Sequence, residues 1–250
     1  MNSMTRSTPH FHLGIVTGLQ EEAEIAGEAI RAADRVAQVD SVSVECRGPG
    51  AARASAAAKA LVDNGARALL SFGHAGGCDP ALPSGTVILV TGVRDFSNAS
   101  GASGETLWTN REWRRRLQSA LLGVVIVEEA AIASTDRPLM AAGEKETLFW
   151  SDGVAAVDME SAAVARVAME HGLPFMALRA ILDPSELDLP PAALAGMTPD
   201  GETRAGAVLS ALMRRPQDAP GLARIAVAHR KATAALARVA AAIAPGFGAT

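Results

Sequence analysis

The sequence predicts an α/β protein, a three-layer αβα sandwich around a central mixed, mostly parallel sheet. Short apolar runs of strand length alternate along the chain with amphipathic stretches of helix length, which favours a sheet covered by helices on both faces. The 250 residues suit one large domain better than two small ones. Apolar residues make up 49% of the chain and the mean hydropathy is +0.17, so a large core can form.

The first part of the chain contains four predicted strands and two predicted helices. The strands cover 11–18, 41–46, 68–73 and 87–93, and the helices cover 21–33 and 51–64. A Gly48-Pro49-Gly50 turn leads into the second helix, and Asn64-Gly65 ends it. The run 68–73 is continuous and apolar, as expected for a strand with both faces covered.

The second part of the chain is predicted to be mainly helical. Helices are predicted over 113–122, 139–150 and 159–171, and strands over 123–127 and 175–182. The segment 191–244 is predicted as two or three helices divided by Pro216 and Pro220. We therefore expect a flexible tail at 1–10 and a single domain over 11–250, with a helical C-terminal extension from about residue 190.

Charge and cysteine content argue against several classes of protein. The net charge of −4 and the pI near 5.8 provide no overall basic field for nucleic acid. Cys46 and Cys78 lie far apart without metal-ligand spacing, which indicates reduced thiols in a cytoplasmic protein and no metal site. No apolar run reaches the length of a transmembrane helix, and the first ten residues lack a signal-peptide pattern.

Polar residues that follow strands are the first candidates for a site, because open α/β sheets bind ligands outside the carboxyl ends of their strands. Asp95 follows the fourth strand. Asp183 ends the run 175–182 before a proline, where it is either a turn aspartate or a reactive carboxylate. Glu160 begins the most clearly predicted helix, where it either complements the helix dipole or lies in the crevice.

Two more candidates follow the first and third strands. Glu22, at a strand-to-helix junction, is either an N-terminal helix charge or a crevice carboxylate. The small residues after His74, at 75–77, let the backbone approach a ligand, and His74 is either a hydrogen-bond donor to substrate or a structural histidine. The Gly48-x-Gly50 turn is typical of dinucleotide-binding oxidoreductases, but Arg53 replaces the third glycine of that motif, which disfavours this class.

Four motifs, taken in their order along the chain, carry a family resemblance: 14–22, 71–79, 157–163 and 179–184. They resemble the nucleoside phosphorylase and nucleosidase superfamily, which includes purine and uridine phosphorylases and methylthioadenosine/S-adenosylhomocysteine nucleosidase. The resemblance covers about residues 13–183 and implies the αβα fold of that superfamily. Within it, the segments 76–82, 157–161, 189–194 and 214–216 are most similar to the hopanoid-associated phosphorylase group.

The resemblance implies an enzyme that cleaves the N-glycosidic bond of a purine nucleoside, with adenine as the base and adenosylhopane of hopanoid biosynthesis as a candidate substrate. Asp183 matches the acid that protonates the base, a role that needs a raised pKa. Glu160 matches the ribose-binding glutamate, and Met159 matches a methionine that packs against the ribose. Glu22 matches the carboxylate that activates water in nucleosidases. The other implied substrate-binding residues are His74, Ala75, Gly76 and Leu139.

The nucleophile stays open at this point, either water or inorganic phosphate. Many phosphorylases carry an arginine three residues before the small-residue turn, where this chain has Ser71. If phosphate is the co-substrate, Arg47, Arg53 and Gly48 are the candidates for its site. No other cofactor is expected.

Two further departures leave alternative functions open. Leu182 replaces the serine that precedes the acid in the family's nucleosidases, and Pro138 stands where an aromatic ring commonly lies beneath the base. A methylthioadenosine/S-adenosylhomocysteine-type nucleosidase is therefore one alternative. A non-catalytic nucleoside- or lipid-binding protein that kept the fold is another.

The C-terminal segment has two interpretations. Apolar residues and one histidine recur at near-helical spacing with basic residues between them, namely Leu222, Ile225, His229, Leu236, Val239 and Ile243. They form either a peripheral membrane face, suited to a lipid-linked substrate, or a helix that covers the sheet or contacts another subunit. The second interpretation is favoured. The resemblance also implies a homo-oligomer that binds a small purine nucleoside.

Overall fold

A computed structural model describes residues 12–34, 41–97, 105–195, 198, 200–202 and 205–249, so the predicted tail at 1–10 lies outside the described residues. Within this part of the chain, eight strands form one sheet. They are β1 His12–Thr17, β2 Ser41–Cys46, β3 Ala68–Gly77, β4 Val87–Asp95, β5 Thr106–Trp108, β6 Val127–Ser134, β7 Ala156–Asp158 and β8 Phe175–Ile181.

The sheet is mixed and mostly parallel, as predicted. The strand order is β2-β1-β3-β7-β6-β4-β5, and β8 pairs with both β3 and β4. The antiparallel pairings are β3 with β7, β4 with β5 and β4 with β8, and the others are parallel. The pairings of β8 close the strands β3, β8, β4, β6 and β7 into a ring, whereas the choice of candidate residues at strand ends assumed an open sheet. In such a ring the ends of several strands lie close to one another.

Helices cover both faces of the sheet, which confirms the αβα fold class. They are α1 Gln20–Asp34, α2 Ala51–Asp63, α3 Arg111–Leu121, α4 Ala142–Asp152, α5 Ser161–Glu170, α6 Pro191–Leu194, α7 Ala205–Arg214 and α8 Ala219–Ile243, with a 3₁₀ turn at Pro216–Asp218. The alternation of β3 separates the two layers. Leu69 packs in the cluster beneath α2 and α5, while Leu70 and Phe72 pack in the cluster beneath α1, α3 and α8.

The long helix α8 covers the sheet, which confirms the favoured interpretation of the C-terminal segment. Leu236, Val239 and Ile243 are buried in the same cluster as Trp113 of α3. These three residues cannot form the alternative membrane face, because their apolar surface is already removed from water, whereas Leu222, Ile225 and His229 are only partly buried. Among the described residues, no helix combines the length and apolarity needed to cross a membrane.

Several element boundaries differ from the prediction. The third strand continues through the predicted turn to Gly77, because its small residues still pair with β8 and β7. The predicted strand at 123–127 is wrong: Gly123 has φ +77°, and the strand begins at Val127, where pairing with β4 starts. The three-residue strands β5 and β7 are too short for a pattern to detect. Pro220 does not divide the last helix but lies in its first turn, which proline tolerates.

Candidate active site

Three buried carboxylates lie where β1, β3, β7 and β8 come together. Glu22 is in the first turn of α1, Glu160 is the residue before α5, and Asp183 follows β8. Their exposed fractions are 3%, 8% and 5%. Each lies against a glycine: a Cβ on Gly73 would fall 2.5 Å from the Glu22 carboxyl, and one on Gly76 would fall 3.4 Å from both oxygens of Asp183. The β3 glycines thus leave room for carboxylates on either side of one strand.

Glu22 is held by four hydrogen bonds. Its Oε2 accepts the backbone N–H groups of Gly18 and Leu19, both at 3.0 Å. Its Oε1 accepts the backbone N–H of His74 at 2.8 Å and is 3.0 Å from the Nδ1 atom of that ring. Burial raises the pKa of Glu22, but hydrogen bonds and charge from His74 outweigh burial and lower that pKa overall. Glu22 therefore lies in the site as an ionised carboxylate.

The His74 ring connects Glu22 to the C-terminal helix. The Oγ1 atom of Thr233, on α8, is 3.4 Å from His74 Nε2. His229, one turn earlier on α8, contacts Glu21 at 2.9 Å, and the two histidine rings are 5.6 Å apart. The C-terminal helix thus contributes side chains to the edge of the site as well as to the core.

A buried arginine, Arg179, organises the second side of the site. Its guanidinium donates to Asp158 at 2.8 Å and to the hydroxyl oxygens of Ser71 at 2.6 Å and Ser161 at 3.1 Å. It is 1% exposed and comes from β8, where it pairs in register with Gly73 of β3. Arginine is thus present beside Ser71, but it reaches that place from the neighbouring strand. The available sequence signal was a charged residue in the middle of a buried strand.

Glu160 lies between this arginine and the turn after β2. Its Oε1 accepts the Gly50 N–H at 2.9 Å, and its Oε2 lies 3.8 Å from Arg179. The backbone N–H of Met159 also points to Oε2, at 3.3 Å. Burial, followed by the negative charge of Asp158, raises the pKa of Glu160 to about 7 against the opposing effect of Arg179. The carboxyl therefore changes its protonation state near neutral pH.

Asp183 is paired with a lysine that the sequence analysis missed. The ammonium of Lys145, on α4, donates to Asp183 Oδ2 at 2.9 Å and is fully buried. Burial raises the pKa of Asp183, and the charge and hydrogen bond of Lys145 act in the opposite direction without cancelling this rise. The pKa of Asp183 is therefore shifted upward, which is the direction that a general acid requires.

The other predicted site residues divide into two groups. Ala75 and Gly76 lie in β3, and Leu139 packs beside Val157 in a small apolar cluster near the site. The predicted phosphate residues lie at the rim of the site. Gly48 belongs to the turn in which Gly50 donates a backbone hydrogen bond to Glu160. There both arginine side chains are exposed: Arg47 pairs with Glu45 at 3.3 Å, and Arg53 donates to a backbone carbonyl, that of Pro49. The carboxylate of Asp95, the remaining candidate, accepts hydrogen bonds from the side chain of Arg166 and from the backbone N–H of Ser97.

Comparison with known proteins identifies the family. The model of the phosphorylase superfamily matches residues 12–214. The chain belongs to the phosphorylase superfamily. This membership confirms the predicted family and the predicted class of enzyme, a nucleoside phosphorylase or nucleosidase. A search of curated proteins gave no match.

Solved structures with the same fold include two kinds of nucleosidase. Futalosine hydrolase of Helicobacter pylori is 17% identical, with a TM-score of 0.66 over 92% of this chain and 97% of that chain. The 5′-methylthioadenosine/S-adenosylhomocysteine nucleosidase from Neisseria meningitidis, in complex with methylthio-immucillin-A, is 18% identical, with a TM-score of 0.69 over 93% and 97%. At these identities the likeness concerns the fold.

Proposed function

We propose that this protein cleaves the N-glycosidic bond of a purine nucleoside and releases adenine. The observation that carries the proposal is the group of three buried carboxylates around β3, each in a different electrostatic environment. The three carboxylates can serve different steps of one reaction, because Glu22 is ionised, Glu160 titrates near pH 7 and Asp183 has a raised pKa. The structural similarity to futalosine hydrolase and to 5′-methylthioadenosine/S-adenosylhomocysteine nucleosidase supports this assignment.

In this reaction Asp183 gives its proton to N7 of the purine while the bond between C1′ and the base breaks. The bonding electron pair stays with the base, and positive charge develops on the ribose. Glu160, with Met159 beside it, binds the ribose hydroxyls, and its negative charge favours the cationic transition state. His74, Ala75, Gly76 and Leu139 line the substrate site in this proposal.

We favour water as the nucleophile over inorganic phosphate. Among the described arginines near the carboxylates, Arg179 is engaged with Asp158 and Arg47 with Glu45, and Arg53 donates to the Pro49 carbonyl. Three of the four hydrogen-bond donors to Glu22 are backbone N–H groups, and the fourth is the ring of His74. If this ring turns away, Glu22 can accept a hydrogen bond from the attacking water in its place. Water then adds its oxygen to C1′ and loses a proton to solvent, and the products are ribose and the free base.

The decisive experiment is to incubate the purified protein with adenosine, 5′-methylthioadenosine and S-adenosylhomocysteine, with and without phosphate, and to quantify free adenine and the sugar product. From adenosine, hydrolysis gives free ribose at a rate independent of phosphate, whereas phosphorolysis gives ribose 1-phosphate. The other two substrates give the corresponding sugars with their 5′ substituent still attached. Asp183→Asn should lower turnover by about 10²–10⁴-fold with the fold retained. A protein that only binds nucleosides would release no base from any of these compounds or from a lipid-linked adenosine.

A lipid-linked substrate such as adenosylhopane is the second candidate. An open groove of about 520 Å³ begins at Pro184, directly after the acid, and Leu187 and Val227 give it apolar walls. Such a groove can hold a large hydrocarbon that ordinary nucleosides lack. Comparing kcat/KM for adenosine and its 5′-alkyl derivatives tests this, since a rise with chain length is expected only for a lipid-linked substrate. We also propose that the protein works in the cytoplasm as a homo-oligomer. Light scattering, which measures the mass of the assembly, tests the oligomeric state.

A further inference from the structure

Lys145 is a buried cation whose hydrogen bonds are all made within the protein. Its ammonium donates to Asp183 Oδ2 at 2.9 Å, to the Pro184 carbonyl at 2.8 Å and to the Leu187 carbonyl at 2.8 Å. Three acceptors match the three N–H bonds of an ammonium group. A lysine that is fully buried and fully hydrogen-bonded in this way is held in one place.

This geometry distinguishes the two oxygens of the acid. Oδ2 accepts a hydrogen bond from a charged donor, so the proton of the neutral carboxyl belongs on Oδ1. No group of another described residue donates to Oδ1. The preceding residue, Leu182, offers no side-chain donor, and Gly76 leaves open the space in front of the carboxyl.

We propose that Lys145 is a positioning residue for Asp183: its ammonium fixes the acidic proton on Oδ1 and stabilises the carboxylate that proton transfer leaves behind. The inference rests on the proposed function of Asp183 as the general acid. In the step itself the Oδ1–H bond breaks, an N–H bond forms on the base, and the electron pair of the glycosidic bond moves into the purine ring. The carboxylate remains paired with Lys145 until it regains a proton from solvent.

Few other charges face Asp183. Cys78, which follows β3, lies within electrostatic range of both Asp183 and Lys145. Burial raises the pKa of its thiol to about 12, so it is neutral over the working range. The groove that begins at Pro184 carries Glu186, Arg224 and Lys231, all of them exposed and screened by water. Lys145 is therefore the one described charge in direct contact with the acid.

The first test is the pH profile of a Lys145→Met variant. An acid works in its protonated form, so kcat/KM falls as the pH rises through the pKa of Asp183. Lys145 lowers that pKa, and its removal should move the alkaline limb upward by about 1–3 pH units. Lys59→Met, an exposed lysine on α2, is the matched control and should leave the limb in place. A Lys145→Met limb that coincides with that of the wild type would overturn the proposal.

The second test uses a leaving group that needs no proton. On 4-nitrophenyl β-D-ribofuranoside, both Lys145→Met and Asp183→Asn should react at close to the wild-type rate, although both are slow on adenosine. A lysine that served only the fold would slow both substrates equally, and that result also refutes the positioning role. Lys145→Gln, which keeps a neutral donor, replaces Lys145→Met if the latter does not fold. If the wild-type protein releases no base, that result refutes the proposed function itself.

Discussion

Glu22→Gln measures how strongly the fold depends on one buried carboxylate. The carboxylate accepts two N–H groups on each oxygen, at distances of 2.8–3.0 Å. A glutamine presents an NH₂ group to one of these pairs, so at least two donors lose their acceptor in either orientation of the amide. Hydrogen bonds to charged groups contribute about 1.5–3 kcal/mol each, so the expected loss of unfolding free energy is about 3–6 kcal/mol.

The assay is thermal unfolding at neutral pH, followed by circular dichroism. For a domain of this size 1 kcal/mol corresponds to about 2–4 °C, so the melting temperature should fall by about 6–24 °C. Glu24→Gln on the same helix is the matched control. Its side chain is exposed, and its effect should stay within about 0.5 kcal/mol.

The pH dependence of this difference has a definite sign. The pKa of Glu22 is lowered in the folded protein, so the carboxylate contributes stability above its unfolded pKa and loses that contribution as the pH falls through its folded pKa. The gap between wild type and Glu22→Gln should therefore be largest at neutral pH and shrink in acid. A variant that melts together with Glu24→Gln at neutral pH would refute the four-bond description.

Three other perturbations test separate parts of the structure. Because the pKa of Glu160 is about 7 and the carboxylate form accepts the ribose hydroxyls, KM should fall about tenfold between about pH 6 and 8, and Glu160→Gln should abolish this trend. Gly73→Ala should displace the Glu22 carboxyl and stop base release, whereas Gly143→Ala, which meets no atom within 4 Å, should not; equal activities would contradict the close contact. Leu236→Ala should cost about 2–5 kcal/mol in chemical denaturation if α8 packs inward as observed, and a negligible cost would place that residue at the surface.

Sequence patterns correctly placed β3 and β8, which are buried on both faces, and misplaced β6, whose first residues are exposed. β3 and β8 are continuous apolar runs, and their positions were predicted. β6 begins with Val127, Glu128 and Glu129, which are partly or fully exposed, while the apolar stretch before it is a turn with Ile126 65% exposed. The position of β6 is set by its pairing with β4, which the local pattern does not contain.

The carboxylates of the site were predictable because chemistry and position agree. Glu22 and Asp183 follow predicted strands, Glu160 begins a predicted helix, and each lies in a motif of the family. Their partners were not predictable, since Ser71, Asp158 and Arg179 lie far apart in sequence and meet only after β8 pairs with β3. Position 71 shows this most clearly. Compared position by position with phosphorylases, this chain has serine where many of them have arginine, but in the folded protein Arg179 of the neighbouring strand places its guanidinium beside Ser71.

Lys145 left a signal in the sequence that physical reasoning can use. It precedes Leu148 and Phe149 by three and four residues and therefore shares a helix face with these two partly buried side chains. A lysine there commonly extends to water, but a buried one requires a carboxylate and further acceptors. The turn after β8 provides them, since it places Asp183 beside the backbone carbonyls of Pro184 and Leu187, both of which accept hydrogen bonds from Lys145. The structural and functional interpretations of Asp183 are therefore compatible, because the turn that ends the strand also binds the cation that holds the acid.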